Sequence, residues 1–120
     1  MNDIAQAIET LRRKWGPRVL ILGHHYQRPE VLRHADFRGD SLELARKAAA
    51  SQAERILFCG VRFMAESADI LTAPSQAVHL AEATAGCPMA DMADTAAAER
   101  AWARLQRVCS DWTPVVYVNS

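Results

Sequence analysis

The sequence predicts an α/β fold: a three-layer αβα sandwich around a four-stranded parallel sheet. Three observations predict it. Short, continuous apolar runs recur at Val19-Leu20-Ile21-Leu22, Ile56-Leu57-Phe58-Cys59 and Val115-Val116-Tyr117-Val118, as expected of strands covered on both faces. Segments of helical periodicity alternate with these runs, the order that yields a doubly wound parallel sheet. Residues able to do chemistry gather just after the runs, where an open parallel sheet binds its ligands.

The first helix is expected over 3–15, with Ile4, Ile8, Leu11 and Trp15 on one buried face. Gly16-Pro17 stops it, and the first strand follows. A short helix is expected from Pro29 to Ala35. Asp40-Ser41-Leu42-Glu43 has capping-box spacing, with Asp at the cap, and opens a helix reaching about Gln52. The second strand ends at Cys59. Gly60 then turns into a helix carrying Phe63, Met64, Ile70 and Leu71, which ends near Pro74. Ala77-Val78-His79-Leu80 is a third, weaker strand. A helix capped by Thr95 runs to Arg107, and Val115–Val118 is the fourth strand. No repeat, linker or low-complexity segment is visible.

At 120 residues the chain, 1–120, reads as one αβ domain. Lys plus Arg and Asp plus Glu balance at 14 each. No basic stripe points to nucleic acid, and no apolar run approaches the ~20 residues of a membrane span. The amino terminus lacks the regions of a signal peptide, so a cytoplasmic location is expected. The three cysteines form no C-x-x-C pair and no zinc-finger spacing, and an odd number argues against a disulfide framework.

Several residues are candidates for function. His24 and His25 follow a buried strand, where imidazole can donate, accept or carry a proton. Neighbours on an extended chain point to opposite sides, so one of the two is expected to reach the cleft. Gly39-Asp40-Ser41 at a helix start offers backbone N–H groups and a hydroxyl to an anion, although plain capping accounts for Asp40 and Glu43. Cys87 lies in Ala85-Gly86-Cys87-Pro88-Met89-Ala90 beyond the third strand, and Pro88 after it marks a helix start that would favour a thiolate. Cys59 and Cys109 are better explained by packing. Glu66 is either an orienting group or part of a solvated face. Tyr117 and Asn119 alternate on the last strand and so share a face.

Taken together, GHHYQ at 23–27, ADFRGDSLELARKAA at 35–49, FCGVRFMAESADIL at 58–71, AGCPMA at 85–90 and VVYVNS at 115–120 resemble quinolinate synthase, an iron–sulfur enzyme family of pyridine-nucleotide biosynthesis. The motifs run from end to end of the chain. The resemblance implies condensation of iminoaspartate with dihydroxyacetone phosphate to quinolinate, releasing phosphate and water. It also implies a 4Fe-4S cluster held by three cysteines, leaving one iron open as a Lewis acid.

Carried over by motif, Cys87 is the first cluster ligand. His24 and Ser41 contact carboxylates of the iminoaspartate-derived part, and Tyr117, Val118 and Asn119 line the same pocket. Tyr26 is placed in proton transfer; His25 has no assigned role and is expected to be structural. Members of the family have three similar αβ domains, each giving one cysteine to a central site. The chain stops at Ser120 directly after a strand, so a truncation is expected, with the second and third domains and their ligands missing. Such a piece is expected to be inactive alone and to expose apolar area near the site, with Phe63, Met64, Met89 and Met92 as candidates. Two other readings remain open: a free-standing, non-catalytic dicarboxylate-binding domain, and an inactive truncated product.

Overall fold

The computed structural model describes residues 3–117. Residues up to Ala85 form one compact unit and those from Gly86 onward a second. In the first unit the order is α1 (Asp3–Trp15), a 3-10 turn (Gly16–Arg18), β1 (Val19–His24), α2 (Pro29–Leu32), β2 (Phe37–Gly39), α3 (Ser41–Ala50), β3 (Arg55–Cys59), α4 (Arg62–Leu71) and β4 (Ala77–Leu80). The second unit contains α5 (Thr95–Val108).

The sheet is parallel and four-stranded, in the order β2-β1-β3-β4. Its class is as expected, but one strand differs from the expected set. The fourth strand is β2, and residues 115–117 form no strand. Three residues with Phe37 and Arg38 exposed make no apolar run, so β2 leaves no trace in hydropathy. An apolar run in turn becomes a strand only where a neighbour completes its hydrogen bonds. Val115, Val116 and Tyr117 pair with no strand among the described residues and stay exposed.

Alternation along the strands divides the first unit into two faces. Leu20 and Leu22 of β1 and Ile56 and Phe58 of β3 point to one side. There they pack with Leu44, Ala45 and Ala48 of α3 and with Met64, Ala65 and Ala68 of α4. Phe58, Leu22, Leu44 and Ile56 are the largest fully buried side chains, so this layer holds the core. Ile21, Leu57 and Cys59 point to the other side. With Ile4, Ala5 and Ile8 of α1 and Val31 of α2 they line a cavity of about 360 Å³.

The expected buried stripe of α1 is not realised. Ala5 is its one buried residue, while Ile4 is 67% and Leu11 54% exposed. Polar fastenings supplement the apolar contact of Ala5 and Ile8. Glu9 accepts from His34 Nδ1 at 2.9 Å, and Arg12 pairs with Asp36, whose second oxygen accepts from Ile21 N at 2.8 Å. Trp15 is half-buried, with the guanidinium groups of Arg18 and Arg55 4.9 and 5.7 Å from its ring centroid. α1 ends where Gly16 takes a φ of +56°, a left-handed conformation costly for residues with a Cβ.

Two further expectations shift by local chemistry. α3 is capped by Asp40 as expected, its carboxylate accepting from Glu43 N at 2.8 Å, but it stops at Ala50. α5 is capped by Asp94 rather than Thr95, through Ala97 N at 2.8 Å. Within the second unit Trp112 Nε1 donates to Leu105 O at 3.2 Å, and no residue of α5 is fully buried. Among the described residues no helix is long and apolar enough to cross a membrane.

Candidate functional site

β1 delivers His24 to the carboxyl end of the sheet, the end at which ligands bind in this architecture. His24 shares parity with Leu20 and Leu22, so it faces the layer that holds α3 and α4. Across the ladder it pairs with Gly39, the residue before the Asp40 cap, which sets it beside the start of α3. Ser41, the first residue of that helix, is 2% exposed. The β1–β2 register thus places His24 beside the residues that lead into the helix begun by Ser41.

Only 3% of His24 is exposed. Its Nδ1 lies 3.5 Å from Tyr26 N, a long contact that favours the ring proton on Nε2. Nε2 is buried with no partner among the described residues. Burial, first, and the neighbouring His25, second, push the proton affinity of His24 below its ordinary value; Asp40 acts the other way. The neutral ring is thereby favoured, and it presents a buried N–H with no acceptor among the described residues. Such a donor is costly to leave unsatisfied and fits an incoming oxygen. The α3 amino terminus adds positive dipole beside it, suited to an anion.

Gly23 belongs to this geometry. A Cβ there would come within 2.7 Å of Leu32 Cδ2 and 3.0 Å of Ala35 Cβ, so glycine lets the end of α2 and the segment after it close on β1. His25 and Tyr26 are exposed, Tyr26 at 75%. The three rings lie against one another: His24–His25 centroids are 4.4 Å apart, His25–Tyr26 4.3 Å and His24–Tyr26 5.0 Å.

Asp40 acts on His24 as well as capping α3, and sequence reasoning assigned it only the cap. The signal was hidden because it depends on the pairing of β1 with the unseen β2. Glu66 is exposed on α4. Cys59 is buried, and burial pushes its thiol pKa up, as befits a packing residue.

Cys87 lies in the second unit as a free, half-buried thiol. The helix expected to begin at Pro88 is a single turn, closed by Asp91 N donating to Cys87 O at 2.9 Å. Cys87 therefore gains no helix N-terminus, a correction to the sequence reading. Tyr117 is 79% exposed outside any strand, while Val118 and Asn119 lie outside the described residues. Among the expected apolar surface residues, Met89 and Met92 are exposed, Phe63 is partly buried and Met64 is in the core. Among the described residues no three His, Cys, Asp or Glu side chains gather as a metal site.

Comparison with known proteins gives this site its context. The family described as "Quinolinate synthetase A protein" matches residues 6–120. A quinolinate synthase of Lysinibacillus sphaericus is 49% identical over 100% of this chain, which covers 33% of that protein. One from Bacillus subtilis is 48% identical over 99% of the chain and 33% of its own length. One from a Nocardioides species is 58% identical over 88% of the chain and 27% of its own length. The chain thus spans about a third of the length of these relatives. With a family match that covers nearly every residue and identities near one half, the chain belongs to the quinolinate synthetase A family.

Proposed function

We propose that this chain is part of a cytoplasmic quinolinate synthase and supplies the pocket for the dicarboxylate half of the reaction. In that reaction iminoaspartate condenses with dihydroxyacetone phosphate to give quinolinate, phosphate and water. The observation that carries the proposal is the buried Nε2–H of His24, which has no acceptor among the described residues and lies beside the α3 amino terminus.

A carboxylate oxygen of iminoaspartate accepts from His24 Nε2, and the Ser41 hydroxyl gives a second contact. The α3 dipole adds to the attraction for negative charge. The neutral state of His24 matters, because Nε2 must keep its proton to donate while Nδ1 stays an acceptor for Tyr26 N. Tyr26, exposed with its ring against that of His24, exchanges a proton with bound substrate through its phenol in this reading. Tyr117, Val118 and Asn119 contribute further lining.

The residues present do not by themselves fit a 4Fe-4S cluster. Cys87 offers one thiol, Cys59 is buried with its thiol kept protonated, and no ligand group of three gathers among the described residues. One thiolate does not hold a cluster that needs three or four ligands. Cys87 would be one ligand among several, the others coming from outside this segment.

Titration of the chain with L-malate, a stable four-carbon dicarboxylate, tests the pocket, with the ring nitrogens read by heteronuclear NMR. A saturable shift of His24 Nε2 is expected, with affinity reduced by about tenfold or more in Ser41→Ala. A His24 resonance indifferent to L-malate contradicts the assignment.

A further inference from the structure

His25 makes two hydrogen bonds to a single acceptor. Its backbone N donates to Gly39 O at 3.1 Å, and its ring Nδ1 lies 3.0 Å from the same oxygen. A carbonyl oxygen only accepts, so the proton of His25 sits on Nδ1 and both lone pairs of Gly39 O are engaged. Gly39 is also the residue opposite His24 in the ladder and the residue immediately before the Asp40 cap. The ring of His25 lies in contact with the rings on either side of it, 4.4 Å from His24 and 4.3 Å from Tyr26.

From this geometry we infer that His25 is a positioning residue: its Nδ1–H, bonded to Gly39 O, fixes the His24 and Tyr26 side chains relative to the start of α3. The inference rests on the dicarboxylate reading above for its functional meaning. Among the described residues, without the ring bond the loop after β1 is tied to β2 by the backbone bond of His25 and can swing about it. His24 is held on one side by burial, but Tyr26 is exposed and keeps its place through the loop and the ring contacts. Small displacements of groups that contact substrate cost affinity and rate steeply. Because His25 is exposed, its bond contributes little to overall stability, which allows positioning to be separated from folding.

Two variants divide the roles of the side chain. His25→Asn keeps a donor, since the Asn side-chain nitrogen stands as many bonds from Cα as imidazole Nδ1, but it loses the ring. His25→Phe keeps a ring and loses the donor. In the wild-type chain, long-range proton–nitrogen correlation is expected to find the His25 proton on Nδ1; a proton on Nε2 alone overturns the inference. L-Malate affinity is expected to fall about tenfold in His25→Phe and to stay within about twofold of wild type in His25→Asn. Equal affinity in His25→Phe and wild type overturns it, as does a His25→Asn variant as weak as His25→Phe. If the wild-type chain ignores L-malate, the dicarboxylate reading fails separately. Nuclear Overhauser contacts between the His24 and Tyr26 rings then decide: kept in His25→Asn and lost in His25→Phe supports positioning, and any other pattern overturns it. Should His25→Phe not fold, the proton position in wild type and the ring contacts in His25→Asn carry the same decision.

Discussion

His24 stands opposite Gly39 in the ladder between the first two strands, one residue before the carboxylate that caps the third helix. That register makes Asp40 serve two ends: it accepts from Glu43 N, and its charge favours a proton on His24 against the opposing effect of burial. Two substitutions separate these roles. Asp40→Asn keeps a capping oxygen and removes the charge, so stability should change by less than about 0.5 kcal/mol while His24 becomes harder to protonate. Asp40→Ala should make His24 equally hard to protonate and also lose about 1 kcal/mol of stability. Histidine titration by NMR and urea unfolding measure the two effects independently.

The burial of His24 also fixes the sign of a pH effect. Its proton affinity is lower in the folded chain than the ordinary value of 6.5. As pH falls through about 6.5, the unfolded chain takes up a proton that the folded chain resists, so the unfolded state binds more protons and stability declines. The decline ends once pH is below the folded value and both states are protonated. His24→Gln removes this contribution. The stability of wild type relative to His24→Gln should therefore be greater near pH 7.5 than near pH 5.5 in parallel urea titrations. A difference that is constant or of opposite sign contradicts a buried neutral imidazole.

At the opposite end of the sheet, Gln76 ties two loops together. Its Nε2 lies 3.0 Å from Ala53 O and 3.2 Å from Ser51 O, and its Oε1 accepts from Ala73 N at 3.0 Å. Gln76→Ala should cost about 1–2 kcal/mol through the stranded carbonyls. Gln76→Glu should cost more, because a carboxylate in the place of the amide faces carbonyl oxygens with no hydrogen to donate. Chemical denaturation of the two variants orders them.

Much of this architecture is legible in the residues themselves. Leu20 and Leu22, Ile56 and Phe58 announce buried strands by runs that tolerate no polar residue, and Asp40 with Glu43 announces the start of α3. What escapes is whatever depends on partners distant in sequence. Phe37–Gly39 becomes a strand because β1 offers it an edge, and residues 115–117 pair with no strand among the described residues. Ile4 and Leu11 have helical spacing yet stay exposed, and the polar bonds of Glu9, Arg12, His34 and Asp36 supplement the apolar contact that Ala5 and Ile8 give α1. The site follows the same division. His24 and Ser41 are readable from their places after a strand and at a helix start. The action of Asp40 on His24 and of His25 on Gly39 requires the β1–β2 register, and Pro88 after Cys87 opens a turn where a helix was expected.

In the proposed function, His24 and Ser41 serve the substrate while Cys87 serves the cluster. Quinolinate formation and cluster content, measured together in a complete quinolinate synthase carrying this segment, test it most directly. Cys87→Ser should abolish stable 4Fe-4S absorption and activity together, because a hydroxyl is a poor replacement for a soft thiolate toward iron. His24→Ala and Ser41→Ala should retain the cluster spectrum and lose about tenfold or more in quinolinate formation from iminoaspartate and dihydroxyacetone phosphate. Loss of the cluster in His24→Ala, or a full cluster in Cys87→Ser, would contradict the division of labour proposed for these three residues.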